Sequence, residues 1–427
     1  MARFAVCMFE DSGYRGFLPL SCSRAVFELR CGIVPLWEKT VREYGGLEDV
    51  EFSCVIRPYL AEILGERLEF SVNGLEEFSG ENVLFINGRL LAPAALAQLL
   101  PLEGRPASFL SDGELIAFRV DQAAVRRKYC DPELFLGAGF SEAVAGELPA
   151  TEVKAILLKY PWDLVSNNPA QIGVDFENLR HGGKIEGEVD ERAVICNARA
   201  VTVSPGARVE AGVVIDARGG PVFVGTGARI LSPSRIEGPC AVGENTVMVG
   251  GRVTEGSSFG PWCRIGGEVE QSIFHGYTNK YHEGFIGHSY VGEWVNLGAL
   301  TTNSDLKNTY GQVTAIVDGK RVETGALKVG TCVGDLTRTG IGTLLDTGSA
   351  FGFSVNVFGG KGILPKYVPS YLWGDGESFS EYVLERAVET ARVVMERRGV
   401  QMSPVFERMM REIFEMTAEE RRHFLRA

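Results

Sequence analysis

The sequence has no CxxC pair: its nine cysteines, among them Cys7, Cys22, Cys31, Cys54 and Cys130, lie scattered along 427 residues. That scatter argues against a zinc knuckle or a disulfide framework and points to reduced thiols in a cytoplasmic protein. Basic runs interleaved with aromatics are also missing and the net charge is −12, which argues against nucleic acid as a partner. A small phosphorylated ligand needs only local positive charge. No apolar run is long enough to enter a membrane. The apolar start Phe4-Ala5-Val6-Cys7-Met8-Phe9 turns at once into Glu10-Asp11; it is too short for a signal peptide and reads as a buried first strand. Histidine is scarce, with five in the whole chain.

Glycine, by contrast, is abundant at 52 residues, and in the second half it punctuates a six-residue repeat of small aliphatics. Val203, Val209 and Ile215 form one run; Ile230, Ile236, Val242 and Met248 a second; Val253, Phe259 and Ile265 a third; Phe285, Val291 and Leu297 a fourth. The longest comprises Leu327, Val333, Thr339, Leu345, Phe351 and Val357. Six fits neither a helix nor a simple alternating strand, but it does fit a triangular coil of three short strands with one inward side chain per face. A left-handed parallel β-helix is therefore predicted from about Lys184 to Gly360. The repeat lapses twice, between Gln271 and Gly284 and between Thr302 and Gly325. Such gaps are where loops leave a solenoid, and loops carry function. The first gap holds His275, Lys280 and His282, and the second Asn303, Asp305, Lys307 and Asn308. An imidazole titrating near neutrality is the usual general base for an attacking amine.

Residues 1 to about 180 change character. Strand-like runs such as Phe52-Ser53-Cys54-Val55-Ile56 and Val83-Leu84-Phe85-Ile86 alternate with helix-like stretches such as Pro93 to Leu100, an α/β pattern. Ligands of such folds sit at the carboxyl ends of strands, which singles out the loops Glu10 to Arg24 and Asn87 to Leu91. Gly13, Arg15, Gly16 and Arg24 offer charge and flexible backbone to phosphates. After Trp373-Gly374-Asp375-Gly376, Ser378 is placed to cap a helix with a stripe of Tyr382, Leu384, Ala387, Val388, Ala391 and Val394 that stops at Gly399. A second helix is expected from Pro404 to Met416. The domain reading is thus 1–180 Rossmann-like α/β, 181–372 β-helix and 373–427 helical tail, the tail packing over the open end of the β-helix or against a neighbouring subunit.

This arrangement resembles the bifunctional UDP-N-acetylglucosamine pyrophosphorylase / glucosamine-1-phosphate N-acetyltransferase family over most of the chain. The segment from His282-Glu283-Gly284 through His288-Ser289-Tyr290 to Val295-Asn296-Leu297-Gly298-Ala299 looks like the acetyltransferase stretch in which a His precedes a paired repeat ending in Val-Asn-Ile-Gly-Ala. The resemblance implies His282 as catalytic base and reads His288 as structural, with His288 as the alternative candidate for the base. It implies Asn296 and Asn303 as sugar and acyl-site contacts and Lys307 as a phosphate contact, with Lys280 among the substrate-binding candidates. A backbone N–H near Ala299 would stabilise the oxyanion that forms as the amine attacks the thioester of acetyl-coenzyme A. The implied acceptor is an amino sugar phosphate, glucosamine 1-phosphate first, and the implied assembly a homotrimer. Glu268-Val269-Glu270, standing where classical members carry a phosphate-gripping lysine, leaves other amino sugars open.

In the first half the resemblance is to a divergent sugar nucleotidyltransferase branch, through Phe17-Leu18-Pro19-Leu20, Ser23-Arg24, Phe27-Glu28-Leu29-Arg30 with Gly32, and Tyr160-Pro161-Trp162-Asp163-Leu164. It implies nucleotidyl transfer from a nucleoside triphosphate with Mg²⁺, and it singles out Gly13, Arg15, Arg24, Arg30, Asn87 and Gly88 around the phosphates. Departures are concentrated at the chemistry. Glu10-Asp11-Ser12-Gly13-Tyr14-Arg15 replaces the usual Gly-x-Gly-Thr-Arg-Met loop, Val26 stands at the signature lysine, and Arg89 falls where the metal-holding aspartate is expected. Arginine cannot ligate magnesium. Either Asp11 or Asp112, with Asn168 or Asn167, supplies the metal site, or the domain binds a sugar nucleotide without making it. A purely structural β-helix behind an active nucleotidyltransferase is a further alternative.

Overall fold

The computed structural model describes residues 4–75, 81–179, 182–359 and 362–426; His181 and Gly360 lie outside them. The chain forms two compact units. One holds the residues up to Phe17, Ser23–Leu29 and Val34–Lys159; the other holds Leu18–Cys22, Arg30–Ile33 and the chain from Tyr160 on.

The first unit is built on a seven-stranded sheet. Its strands are β1 (Phe4–Phe9), β2 (Val50–Val55), β3 (Ser71–Val72), β4 (Asn82–Asn87), β6 (Ala107–Ser111), β7 (Glu114–Asp121) and β8 (Ala150–Glu152), while β5 (Leu90–Leu91) pairs separately with β9 (Ile156–Leu157). The order is β3-β2-β1-β4-β7-β6-β8, with β1 to β4 parallel and β7 antiparallel to β4. All six residues of β1 are buried because the strand lies between two partners and is covered on both faces, as the unbroken apolar run implied. On one side Phe9, Phe85, Phe118, Phe135 and Phe140 pack ring against ring, with Phe85 stacked on Phe118 at 4.6 Å. Chain order reverses between β1 and β4, so the crevice beyond Phe9 and Asn87 is the topological position for a ligand.

The second unit is a left-handed parallel β-helix with helices. Its faces are two six-stranded sheets and one nine-stranded sheet, each strand two to four residues long. The inward side chains stack in columns: Val209, Ile230, Met248 and Ile265 on one face; Ile215, Ile236, Val253, Val269 and Ile286 on the next; Val203, Val224, Val242, Phe259, Phe274, Val291, Val333 and Phe351 on the third. Each coil takes its main-chain hydrogen bonds from the coils above and below it, so no coil is stable alone.

Two details of the repeat differ from the periodic reading. Leu327 is 55% exposed and belongs to no column. The first gap is no loop: Ile273–Gly276 and Asn279–Lys280 continue the coil. What breaks the period is a corner one residue shorter than usual, from Val269 to Phe274 and again from Ile286 to Val291, so that Ile286 and not Phe285 points inward. Lys280 then occupies an inward position next to Ile265, in a column otherwise made of apolar side chains. The second gap is an excursion carrying an antiparallel hairpin of Thr314–Val317 and Lys320–Glu323.

The helix Pro161–Asn178 belongs with the β-helix. Asn168, fully buried on it, donates to Gly256 O at 2.8 Å and Ser258 Oγ at 3.0 Å, while accepting from Gly32 N at 2.6 Å. At the far end Phe379–Glu381 pairs antiparallel with Leu372–Gly374 and ends the parallel stack. The predicted first tail helix is shorter than expected. It runs Leu384–Glu396, and Ser378 sits in a turn instead of capping it. The second spans Pro404–Met416 with Ser403 as its cap, and a third follows at Ala418–Phe424. No helix among the described residues is long and apolar enough to cross a membrane.

Replacing the fully buried Ile236 by alanine should lower unfolding stability by about 2–5 kcal/mol, read as an earlier urea midpoint. The same substitution at the exposed Leu327 should stay within about 0.5 kcal/mol.

Candidate functional site

At the switch point of the first unit, the residues expected to meet phosphate and metal are bonded to one another. Asp11 accepts Arg89 Nε at 2.8 Å and Gly13 N at 3.0 Å on Oδ1, and Arg89 Nη2 at 2.6 Å and Asn87 Nδ2 at 2.8 Å on Oδ2. It is 6% exposed. With both oxygens taken by internal donors, Asp11 does not fit a magnesium ligand. Asn168 does not either, since its amide is spent inside the second unit. Asp112 lies exposed in the hairpin turn between β6 and β7. A second buried pair, Arg57 with Glu10, closes the neighbouring strand end; Arg57 Nε and Nη2 each lie 3.0 Å from a Glu10 oxygen. Of the arginines singled out, Arg24 is buried, Arg15 is exposed over the Tyr14 ring, and Arg30 belongs to the second unit, where it donates to His275 O at 3.1 Å and Ile33 O at 2.9 Å. Gly88 N is held by Phe9 O at 2.7 Å. Asp11, Asn87 and Arg89, with Glu10 and Arg57 beside them, thus gather where the topology predicts, but as a self-neutralised network; Arg30, Asn168 and Asp112 lie elsewhere.

In the β-helix the predicted residues fall at two corners. His282 and Ala299 share one. His282 is exposed, its ring edge-on to Tyr281, and its carbonyl accepts from Lys280 Nζ at 3.0 Å. Leu300 N bonds Glu283 O on the preceding coil. Asn296 lies on the adjoining face and accepts from Asn279 Nδ2 at 3.3 Å. Lys280 is 2% exposed and also donates to Gly266 O at 2.8 Å; burial pushes its amine down to about 8, against the pull of Glu283 and Glu268.

The other corner carries His288. It is the left-handed residue of a shortened corner, at φ 47°, with the equivalent Gln271 at φ 37° one coil earlier. Its Nδ1 lies 2.8 Å from Asp305 Oδ2 and 4.0 Å from Glu270 Oε1, and Lys328 Nζ is 2.8 Å from that same Glu270 oxygen. A carboxylate only accepts, so Nδ1 carries the proton and Nε2 is left as the basic nitrogen. Burial raises the Asp305 carboxyl, yet the His288 hydrogen bond and the charges of His288 and Lys328 bring it below the usual range. Close coil contact fixes the neighbours: a Cβ on Gly287 would meet Asp305 Oδ2 at 2.7 Å, and one on Gly330 would meet Gly287 O at 1.9 Å. Asn303, 3% exposed, bridges the coil by accepting from Gly287 N at 2.8 Å and donating to Gly287 O at 3.0 Å. It supports the corner from inside. Lys307 hydrogen-bonds Gln312 O in the excursion.

Beside His288 opens a cavity whose lining includes Leu18, Trp162, Val165, Ala315, Val317 and Val329. Sequence reasoning named His288, Asp305 and Glu270 without joining them, and it missed Lys328. The usable signal is the coil pitch: His288 and Asp305 are 17 residues apart, as are Gln271 and His288, which stacks them at one corner.

The fold and these corners define a class: an α/β nucleotide-binding-type unit and a left-handed hexapeptide β-helix in one chain. Residues 6–184 match the family model described as sugar nucleotidyl transferase. Within that class, the chain is 31% identical over 93 residues to a bifunctional sugar-1-phosphate nucleotidylyltransferase/acetyltransferase of Sulfurisphaera tokodaii. The match covers 22% of this chain and 23% of that protein, so it spans less than a quarter of the relative's length. Two solved structures are similar at low scores. The Arabidopsis UDP-N-acetylglucosamine acyltransferase is 12% identical, covering 51% of this chain and 77% of its own, with a TM-score of 0.22. Its Campylobacter jejuni counterpart is 14% identical, covering 53% and 95%, with a TM-score of 0.17. At such scores these two carry no argument.

Lys280 gives the β-helix a pH signature. Its folded value of about 8 lies below the ordinary lysine value of about 10.4, so between them the unfolded chain holds a proton that the folded chain has lost. Stability should therefore rise with pH across that window, and Lys280→Met should remove the rise in denaturant melts taken from pH 8 to 10.

Proposed function

We propose that the chain is a transferase of sugar-nucleotide synthesis whose β-helix moves an acetyl group from acetyl-coenzyme A to the amine of an amino sugar phosphate. The observation that carries this is the His288–Asp305 pair beside an apolar cavity. His288 is preferred to His282 as the base because its ring is oriented by a carboxylate, while His282 lies on an exposed turn. Asp305 keeps the proton on Nδ1. As the amine nitrogen attacks the thioester carbon, Nε2 takes the amine proton. The carbon–nitrogen bond forms, the carbon–sulfur bond breaks, and the departing thiolate receives that proton from Nε2. No metal is required for these transfers. Glucosamine 1-phosphate is the leading acceptor. The flat prism faces support assembly as a homotrimer, and reduced thiols and the implied co-substrates support a cytoplasmic setting.

For residues 6–184 the family match supports nucleotidyl transfer from a nucleoside triphosphate to the sugar 1-phosphate. A second reading, binding of a sugar nucleotide without synthesis, is favoured by the Arg89–Asp11 pair, which leaves no free carboxylate on Asp11 for Mg²⁺. Pyrophosphate release from UTP, CTP, GTP and dTTP decides between them.

Coenzyme A release should be seen with acetyl-coenzyme A and an amino sugar. His288→Gln should lower it at least 100-fold and Asp305→Asn about 10-fold or more, while His282→Gln leaves it within about threefold. Loss with His282→Gln and retention with His288→Gln would reverse the assignment.

A further inference from the structure

The cavity beside His288 is predominantly apolar, and apart from the imidazole the polar groups that line it are already engaged. Thr331 and Ser349 face each other with their hydroxyls 3.0 Å apart. The Tyr290 hydroxyl accepts from Arg30 N at 2.8 Å and lies 3.0 Å from His275 Nδ1. The Cys332 thiol is held protonated by burial. A sugar, which needs a partner for each hydroxyl, would lose hydrogen bonds on entering. A short hydrocarbon would not. One wall comes from the amino-terminal turn of the helix Pro161–Asn178 through Trp162 and Val165, and Trp162 is stacked on Tyr160 at 4.4 Å with 18° between planes. The hairpin of the second gap also lines the cavity, through Ala315 and Val317.

We propose that this cavity receives the acyl group of the thioester, and that Trp162, Val165 and Ala315, which line it, set the length of acyl chain accepted. The inference rests on acyl transfer at His288. Trp162 limits length by occupying the space a longer chain needs, and its stack on Tyr160 keeps it from swinging aside. The amino sugar approaches the imidazole from outside the cavity, so wall substitutions act on the donor and not on the acceptor. These three are specificity residues that touch the acyl chain; none holds or moves a proton.

The test compares acetyl-, propionyl- and butyryl-coenzyme A by thiol release, with glucosamine 1-phosphate and other amino sugars as acceptors. The unsubstituted chain should prefer acetyl over butyryl by at least 10-fold in kcat/KM, since a methylene in an apolar pocket is worth roughly 10–200-fold. Trp162→Ala should raise the butyryl-to-acetyl ratio at least 10-fold. Val165→Ala, a smaller change on the same wall, should raise it in the same direction and serves if Trp162→Ala does not fold. Ala315→Leu should lower kcat/KM for every donor while the acceptor KM stays within about twofold. Acyl transfer that persists with an unchanged donor ratio in these variants overturns the acyl pocket and leaves the proposed activity standing. Absence of thiol release from all three donors in the unsubstituted chain overturns the acyl-transfer reading, and the pocket with it.

Discussion

Everything at the candidate acyl site depends on the hydrogen bonding of one coil to the next. His288 N is bonded to Glu270 O on the preceding coil, and Gly330 N to His288 O on the following one. These contacts, repeated around the prism, set which side chains share a corner. His288 meets Asp305 and Glu270 because a coil of about 17 residues returns the chain to the same corner. Glycines at 287 and 330 let the strands close to that spacing. The imidazole is therefore oriented by the stack as a whole, with Asn303 bridging the same corner from within.

Electrostatics does comparable work in the first unit, with the opposite outcome. Buried pairs of Glu10 with Arg57 and Asp11 with Arg89 satisfy charges at the strand ends where a phosphate or a cation would otherwise be received. Desolvating a charge is costly unless it is matched, and here each is matched by a neighbour. The arginine that replaces an expected acid is thus compensated locally by the Asp11 carboxylate, which also accepts from Asn87 and Gly13.

The β-helix was legible because one inward aliphatic per face leaves a periodic trace, and Val203, Ile236 and Phe351 sit in columns as that trace requires. Misreadings came where the period shifted. A corner shortened by one residue made the stretch around Gln271 look like a loop, and it moved the inward position from Phe285 to Ile286. Chemistry was harder to read than architecture. His282 and His288 are six apart, and no local pattern tells which faces a carboxylate one coil later. That difference comes from register between coils, as does the partnership of Lys328 with Glu270. The α/β sheet followed from its apolar runs, but the burial of Asp11 under Arg89 joins residues 78 positions apart and leaves no sequence signal.

The division of the chain also bears on how such proteins are assembled over generations. Leu18–Cys22 and Arg30–Ile33 belong to the β-helical unit although more than a hundred residues of the other unit follow them. Gly32 N is bonded to Asn168, Ile33 N to Asp175 at 2.8 Å, and Arg30 to His275 O. The two units are therefore interleaved in sequence. A cut near residue 160 or 180 would deprive the carboxy-terminal part of backbone and side-chain partners encoded far upstream. Exchange of either half for a foreign one by simple gene fusion is disfavoured.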